Sequence, residues 1–220
     1  GGSFSSTTCM AGKAILLIGG VDGGDTLGGG VEAVGTGYTY TMNLNTSFTG
    51  DDNLYLRLKG GENAPQWKVK ETYHIATKDT SDAFKMDKAW YSFNLGDNIT
   101  AFAGPRIENY YMLAATPSVY KPGALKAFKL GGNGAAFGAS TSTGAGIKYV
   151  ADNGFAVSTT VNSKDAAGTN GFLTNQDNNK INVQTAYTKD NYHLSATYSR
   201  QQGWNAWSYY ATKDLYTGAD

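Results

Sequence analysis

The stretch that decides the fold is Tyr38–Lys59, YTYTMNLNTSFTGDDNLYLRLK. In its first run Tyr38, Tyr40, Met42, Leu44 and Phe48 share one parity, and Thr39, Thr41, Asn43, Asn45 and Ser47 share the other. After the TGDD turn, Leu54, Leu56 and Leu58 alternate with Tyr55, Arg57 and Lys59. Successive side chains of a strand point to opposite faces, so the pattern predicts a hairpin with one apolar face and one polar, partly cationic face. The first strand is predicted to run about eleven residues, twice the usual length of about five or six. A strand needs about 9–11 tilted residues to cross a bilayer. The hairpin therefore predicts a wall segment of an antiparallel transmembrane β-barrel.

The same alternation recurs on both sides of the hairpin. Upstream, Thr8–Ile18 is predicted as a strand with Met10, Ala14, Leu16 and Ile18 facing lipid and Lys13 facing inward; Ile15 and Leu17 blur its alternation. Downstream, Ala89, Tyr91, Phe93 and Leu95 alternate with Trp90, Ser92 and Asn94, and a returning strand is predicted over Ile99–Gly104, ended by Pro105. Further strands carry Ile147 and Tyr149, then Phe155, Val157, Thr159 and Val161, then Ile181, Val183, Thr185 and Tyr187, then Tyr192, Leu194, Ala196 and Tyr198. One more is predicted near Trp207–Thr212, making about ten strands.

Four tight turns carry Asp/Asn pairs: Asp51-Asp52-Asn53, Asp97-Asn98, Asp152-Asn153 and Asp190-Asn191. Between them lie long polar or glycine-rich connections. Short turns at one end and long loops at the other match the short periplasmic turns and long external loops of outer-membrane barrels. Segment Arg106–Thr143 has the least alternation, yet Tyr110, Tyr111, Met112, Leu113, Leu125 and Phe128 need something to pack on. Loops beyond about 12–15 residues are usually functional or disordered. This one is expected to fold inward as a constriction, with Arg106, Lys121, Lys126 and Lys129 set against Glu108.

Composition narrows the function classes. Across 220 residues the net charge is zero, so nothing in the overall balance points to nucleic acid. Fifteen tyrosines and 29 glycines suit strands, turns and interfacial aromatics. The negative mean hydropathy is compatible with a membrane barrel, which needs only alternate strand residues to be apolar. The longest apolar run, Ala14–Ile18, is of strand length, and no signal-peptide pattern accompanies it. A lone Cys9 and two histidines remove cysteine-ligated and histidine-rich metal sites. Asp22 and Asp25 lack the calcium-loop ligand spacing and read as a solvated loop. Neither a nucleophile elbow nor a complete dinucleotide fingerprint occurs: Ser140 is followed by Thr141-Ser142, and Phe137 stands where Gly132-Asn133-Gly134 would require a glycine. Paired carboxylates of a glycosidase are not indicated by any feature. No enzyme, catalytic residue, metal or cofactor is expected.

The segment MNLNTSFTGDDNLYLRLKGG resembles the hairpin that marks the cyanobacterial outer-membrane porins, a family that usually carries an S-layer-homology domain ahead of its barrel. The opening SFSSTT…GKAIL, the hairpin WYSFNLGDNITAFAGPR and the run MLAATP also look like that family, so the resemblance spans residues 1–220. It implies an outer-membrane location, trimers of barrels of about 16 strands, and contact with lipid and lipopolysaccharide. The peptidoglycan-holding domain is missing from this sequence, and the terminal LYTGAD lacks the family's closing aromatic strand. The chain is therefore expected to form the N-terminal part of a larger barrel.

On this reading the function is passive diffusion of small hydrophilic solutes and inorganic ions through a wet lumen. The expected pore wall is Lys13, Asn43, Asn45, Arg57, Lys59, Gln184 and His193. The competing expectation is a soluble or secreted all-β carbohydrate-binding module, lectin-like, with Tyr and Trp platforms. The two differ in where the apolar parity points: into one dry core for a sandwich, outward for a barrel.

Overall fold

The computed structural model describes residues 6–20, 34–62, 79–115, 141–164 and 166–202. They form a single antiparallel sheet of nine strands in sequence order. The strands are β1 Thr8–Gly19, β2 Gly35–Thr46, β3 Asp52–Glu62, β4 Lys85–Asn94, β5 Ile99–Glu108, β6 Thr141–Val150, β7 Phe155–Ser163, β8 Asn179–Lys189 and β9 Tyr192–Gln202. Among the described residues there is no α-helix, and a 3₁₀ turn over Asn109–Tyr111 follows β5. The fold is all-β. Among the described residues the sheet is also open, because β1 pairs only with β2 and β9 only with β8. The strand expected near Trp207–Thr212 lies outside the described residues.

Every connection between neighbours reverses the chain, so the connections fall alternately at the two ends of the sheet. Residues 47–51, 95–98, 151–154 and 190–191 turn tightly at one end. Strands β1, β3, β5 and β7 end at the other. The first tight turn is organised by one carboxylate. Asp52 Oδ1 accepts from Ser47 Oγ at 2.8 Å and from the N–H groups of Phe48 and Thr49 at 2.8 and 2.9 Å. Tyr91 OH on β4 donates to Oδ2 at 2.6 Å, so the turn is tied to the third strand of this region. The GDD of the sequence thus places a side-chain acceptor where the turning backbone leaves donors unpaired.

Register sorts the residues into two faces. Met10 lies opposite Leu44, Met42 opposite Leu58 and Leu54 opposite Tyr91. Across the second half Ile147 faces Thr159, Thr159 faces Val183 and Tyr187 faces Leu194. These residues make an apolar face. Its members stay in contact with the surroundings: Leu16 is 73% exposed, Leu194 65% and Tyr198 66%. The opposite face carries Asn43, Asn45, Arg57, Lys88, Ser158, Thr160, Asn162, Asn182 and Gln184 in matching registers. On β7 and β8 this polar face is the buried one, with Asn162 and Gln184 at 0% exposure. A water-soluble sheet has the reverse arrangement.

One strand departs from the expected bounds. Pro105 does not end the fifth strand; β5 continues through it to Glu108, taking Arg106 and Glu108 out of the loop. The pairings of β5 with β4 and with β6 both shift across Gly104–Ile107. A proline is accommodated at such a bulge because its missing N–H leaves no ladder bond unmade there. Ile15 and Leu17, which blurred the first strand's pattern, fall on the polar face, opposite Thr39 and Gly37.

Candidate functional site: the polar face and the segment that crosses it

All seven residues expected to line a pore lie on the polar face. Lys13 sits opposite Thr41, Asn43 opposite Arg57, and Asn45 opposite Tyr55. Lys59 is opposite Thr41, Gln184 opposite Ser158 and His193 opposite Thr188. The Asn43 side chain gathers two neighbours. Its Oδ1 accepts from Tyr55 OH at 2.7 Å and from Arg57 Nε at 2.8 Å. Asn53 Nδ2 donates to Asn45 Oδ1 at 3.0 Å, and Thr188 Oγ1 bonds His193 Nδ1 at 2.9 Å. Asn43, Asn45, Arg57 and His193 are thus held by hydrogen bonds to neighbouring strand residues.

The chain leaving β5 folds onto this face. Ile107, on the polar face opposite Ser142, packs with Tyr55, Trp90, Phe102 and Met112 in a small buried cluster. Tyr55 and Trp90 are cross-strand partners with ring centroids 4.3 Å apart, and Tyr111 meets Trp90 edge-on at 5.9 Å. Arg57 Nη1 donates to Tyr111 OH at 3.2 Å. A few residues later, Ala114 N–H donates to Ser158 Oγ at 3.0 Å. Ala115 is held at both backbone groups: its N–H donates to Gln184 Oε1 at 3.0 Å, and Gln184 Nε2 donates to its carbonyl at 2.9 Å. Residues 107–115 therefore run across the polar face, with contacts from β3 to β8.

Glycine makes the bed for this crossing. Gly104 and Gly144 are direct register partners, and Gly146 lies opposite Phe102. A Cβ on Gly144 would sit 2.6 Å from Ile107 Cδ1 and meet the Val161 carbonyl, and one on Gly146 would come within 2.5 Å of the Phe102 ring. Only bare backbone lets the Phe102 and Ile107 side chains lie this close to the sheet.

Two ion pairs flank the crossing. Lys88 pairs with Glu108, whose carboxylate also accepts from Thr141 Oγ1 at 2.7 Å. Lys59 pairs with Asp87 at 3.7 Å. Asp87 sits where the β3–β4 register shifts, which brings its carboxylate to the polar side. In the 3₁₀ turn that follows β5, burial foremost and then neighbouring Tyr111 raise the Tyr110 hydroxyl above its ordinary pKa.

Of the residues expected in a constriction, Glu108 is buried against Lys88 at the start of the crossing segment. Arg106 lies within β5 opposite Ala89, exposed, with Nε 3.4 Å from the Asp87 carbonyl. Lys121, Lys126 and Lys129 lie outside the described residues, as do Asp22 and Asp25. Sequence reading passed over Lys88, Ser158, Thr160, Asn162 and Asn182 as wall residues. Parity was the available signal for all of them: each alternates with an apolar neighbour already placed on the other face. Thr160 Oγ1, Asn162 Oδ1 and both amide atoms of Asn182 are buried with no hydrogen-bond partner among the described residues.

Among the described residues no cluster of His, Cys, Asp and Glu has the composition of a metal centre. No helix among them is long and apolar enough to cross a membrane, which says nothing of crossing by strands. No family model and no curated protein matches this chain.

Proposed function

We propose that this chain builds part of the wall of an outer-membrane pore, through which small hydrophilic solutes and ions diffuse passively. One observation carries the reading: the polarity of the sheet is inverted. Nine consecutive strands of 9 to 12 residues expose their apolar parity, and from β3 to β8 a segment of the chain itself lies against the polar parity. In water, Leu16, Ile18, Val183, Leu194 and Tyr198 would form an apolar surface far larger than a soluble monomer tolerates. In a bilayer the same residues face hydrocarbon, and the polar face with Asn43 and Arg57 lies on the side away from lipid.

The remaining parts of the reading follow from that polarity and from the family resemblance. The tight turns are periplasmic, and the long connections external. Residues 107–115 narrow the lumen from one side. Further strands complete a barrel of about 16, and three barrels associate, as in outer-membrane porins generally. Lipid and lipopolysaccharide are the partners of the outer surface. The experiment is direct: the purified protein should require detergent and should produce stepwise ion conductance in a planar bilayer. A protein that stays monodisperse without detergent and never conducts is a soluble binding module instead.

A further inference from the structure

We propose that the polar face is an anion-selective surface and that Arg57 is its selectivity-determining residue. The ligand class is small anions, halide or inorganic oxyanion. The inference rests on the pore reading and adds to it a sign of charge and a residue.

The charge on this face is one-sided. Register places Lys13, Arg57, Lys59, Lys88, Lys148 and Lys180 on it. No regular polar-face position of the nine strands holds an Asp or Glu. Among the described residues of the strands, the two carboxylates that reach the face enter at irregularities, Asp87 at the β3–β4 register shift and Glu108 at the end of β5. Each is committed to a lysine, Asp87 to Lys59 and Glu108 to Lys88. Arg57 is the register partner of Lys88 and lies two residues from Lys59. Its own hydrogen bonds go to neutral groups, Asn43 Oδ1 and Tyr111 OH. Among the described residues it forms no ion pair with a carboxylate.

Arg57 is also held in place. Its guanidinium stands 5.5 Å from the Tyr55 ring centroid and 5.6 Å from that of Tyr111. A guanidinium stays charged at any physiological pH, and its fork keeps donors in hand after two hydrogen bonds. Its contact with Tyr111 sets it beside the crossing segment, where the open path is narrowed. A fixed cation there lowers the energy of a passing anion and raises that of a cation, which is how charged rings select ions.

The test is the reversal potential of single channels under a potassium chloride gradient at low ionic strength. The wild type should prefer chloride. At ~6 Å in a water-like dielectric, loss of one unit charge is worth roughly threefold for the anion and roughly threefold in the opposite sense for the cation, so about tenfold in the anion-to-cation permeability ratio. Arg57→Gln should lower the ratio by that factor, and Arg57→Glu by roughly a hundredfold, twice the charge change. Asn43→Asp leaves Arg57 in place and neutralises it through the same hydrogen bond, so it should match Arg57→Gln even if that variant folds poorly. Arg57→Lys and Tyr111→Phe should both keep the wild-type ratio, since they preserve the charge. Channels that prefer potassium, or that ignore both Arg57→Gln and Asn43→Asp, overturn the anion assignment and leave the pore standing. Absence of any channel removes the pore reading and this inference together.

Discussion

Replacing Gln184 with leucine should release the crossing segment while leaving the sheet intact. Leucine matches the volume of glutamine closely enough to keep β8 packed, but it removes both side-chain bonds to Ala115. A neutral hydrogen bond contributes about 1 kcal/mol net, so the lost pair amounts to about 2 kcal/mol. Gln184 is wholly buried, so if the segment stayed docked against leucine its N–H and carbonyl would go unpaired, at about 1–3 kcal/mol each. Undocking caps the penalty, because the freed backbone then reaches water. About 2 kcal/mol is therefore the floor, which corresponds to roughly a thirtyfold rise in the undocked population. Amide exchange at Ala115 reads that population directly, and should accelerate by the same factor. Amides in the middle of β7 and β8 should not change. In a bilayer the same variant should show larger or noisier conductance steps. Unchanged exchange at Ala115 would mean that Ser158 and the Lys88–Glu108 pair hold the segment unaided, and the account of Gln184 as its clamp would fail.

Three further outcomes are expected. Gly144→Val places a side chain into Ile107 and the Val161 carbonyl, so it should cost about 1–3 kcal/mol by overpacking, seen as a lower denaturant midpoint, while Ala145→Val on the opposite face is tolerated. Asp52→Ala removes the acceptor shared by Ser47, Phe48, Thr49 and Tyr91, so exchange at the Phe48 and Thr49 amides should speed up with Ala115 unaffected. Val183→Arg puts a charge at mid-strand on the apolar face and should cost about 2–4 kcal/mol in bilayer folding, whereas Ser195→Arg on the polar face should fold normally. Equal effects of the last two would refute the assignment of faces.

The alternation in Tyr38–Lys59 was enough to place Asn43, Asn45, Arg57 and Lys59 on one face, and the same parity in other strands placed Lys13, Gln184 and His193 there, because strand geometry converts sequence parity into side with no further information. It failed where the chain breaks that rule. Pro105 looked like a strand end, and only the bulge across Gly104–Ile107 lets β5 continue beyond it. Arg106 and Glu108 were consequently grouped with the loop, although both are strand residues. The aromatic content of the following segment called for something to pack on, and Tyr111 and Met112 do pack against Tyr55 and Trp90. What parity could not reveal is how the segment is fastened. Ala114 and Ala115 engage through backbone groups, and alanine in a sequence carries no mark of that. The Lys88–Glu108 pair was equally hidden, since it depends on two bulges bringing β4 and β5 into a particular register.

The direction of the strands constrains how such a sheet can close. Eight antiparallel pairings in succession make β1 and β9 run the same way. Joining them directly would create a parallel seam, against the antiparallel closure of bacterial barrels with even strand numbers. Two copies of these nine strands, related by rotation about the barrel axis, meet the same obstacle: rotation preserves strand direction, so β9 of one copy would lie parallel to β1 of the other. An antiparallel barrel therefore needs an odd number of strands added to these nine, and seven would give 16. The requirement is energetic as well as geometric. β1 has 12 residues and β9 has 11, and every backbone group on their outer edges that met hydrocarbon unpaired would cost several kcal/mol. Cross-linking cysteines placed on β1 and β9 checks this: in the assembled pore, pairs at Ala14 and Ala196 should fail to bridge directly, because other strands stand between them. A disulfide formed there at high yield would show the nine strands closing on themselves through a parallel seam.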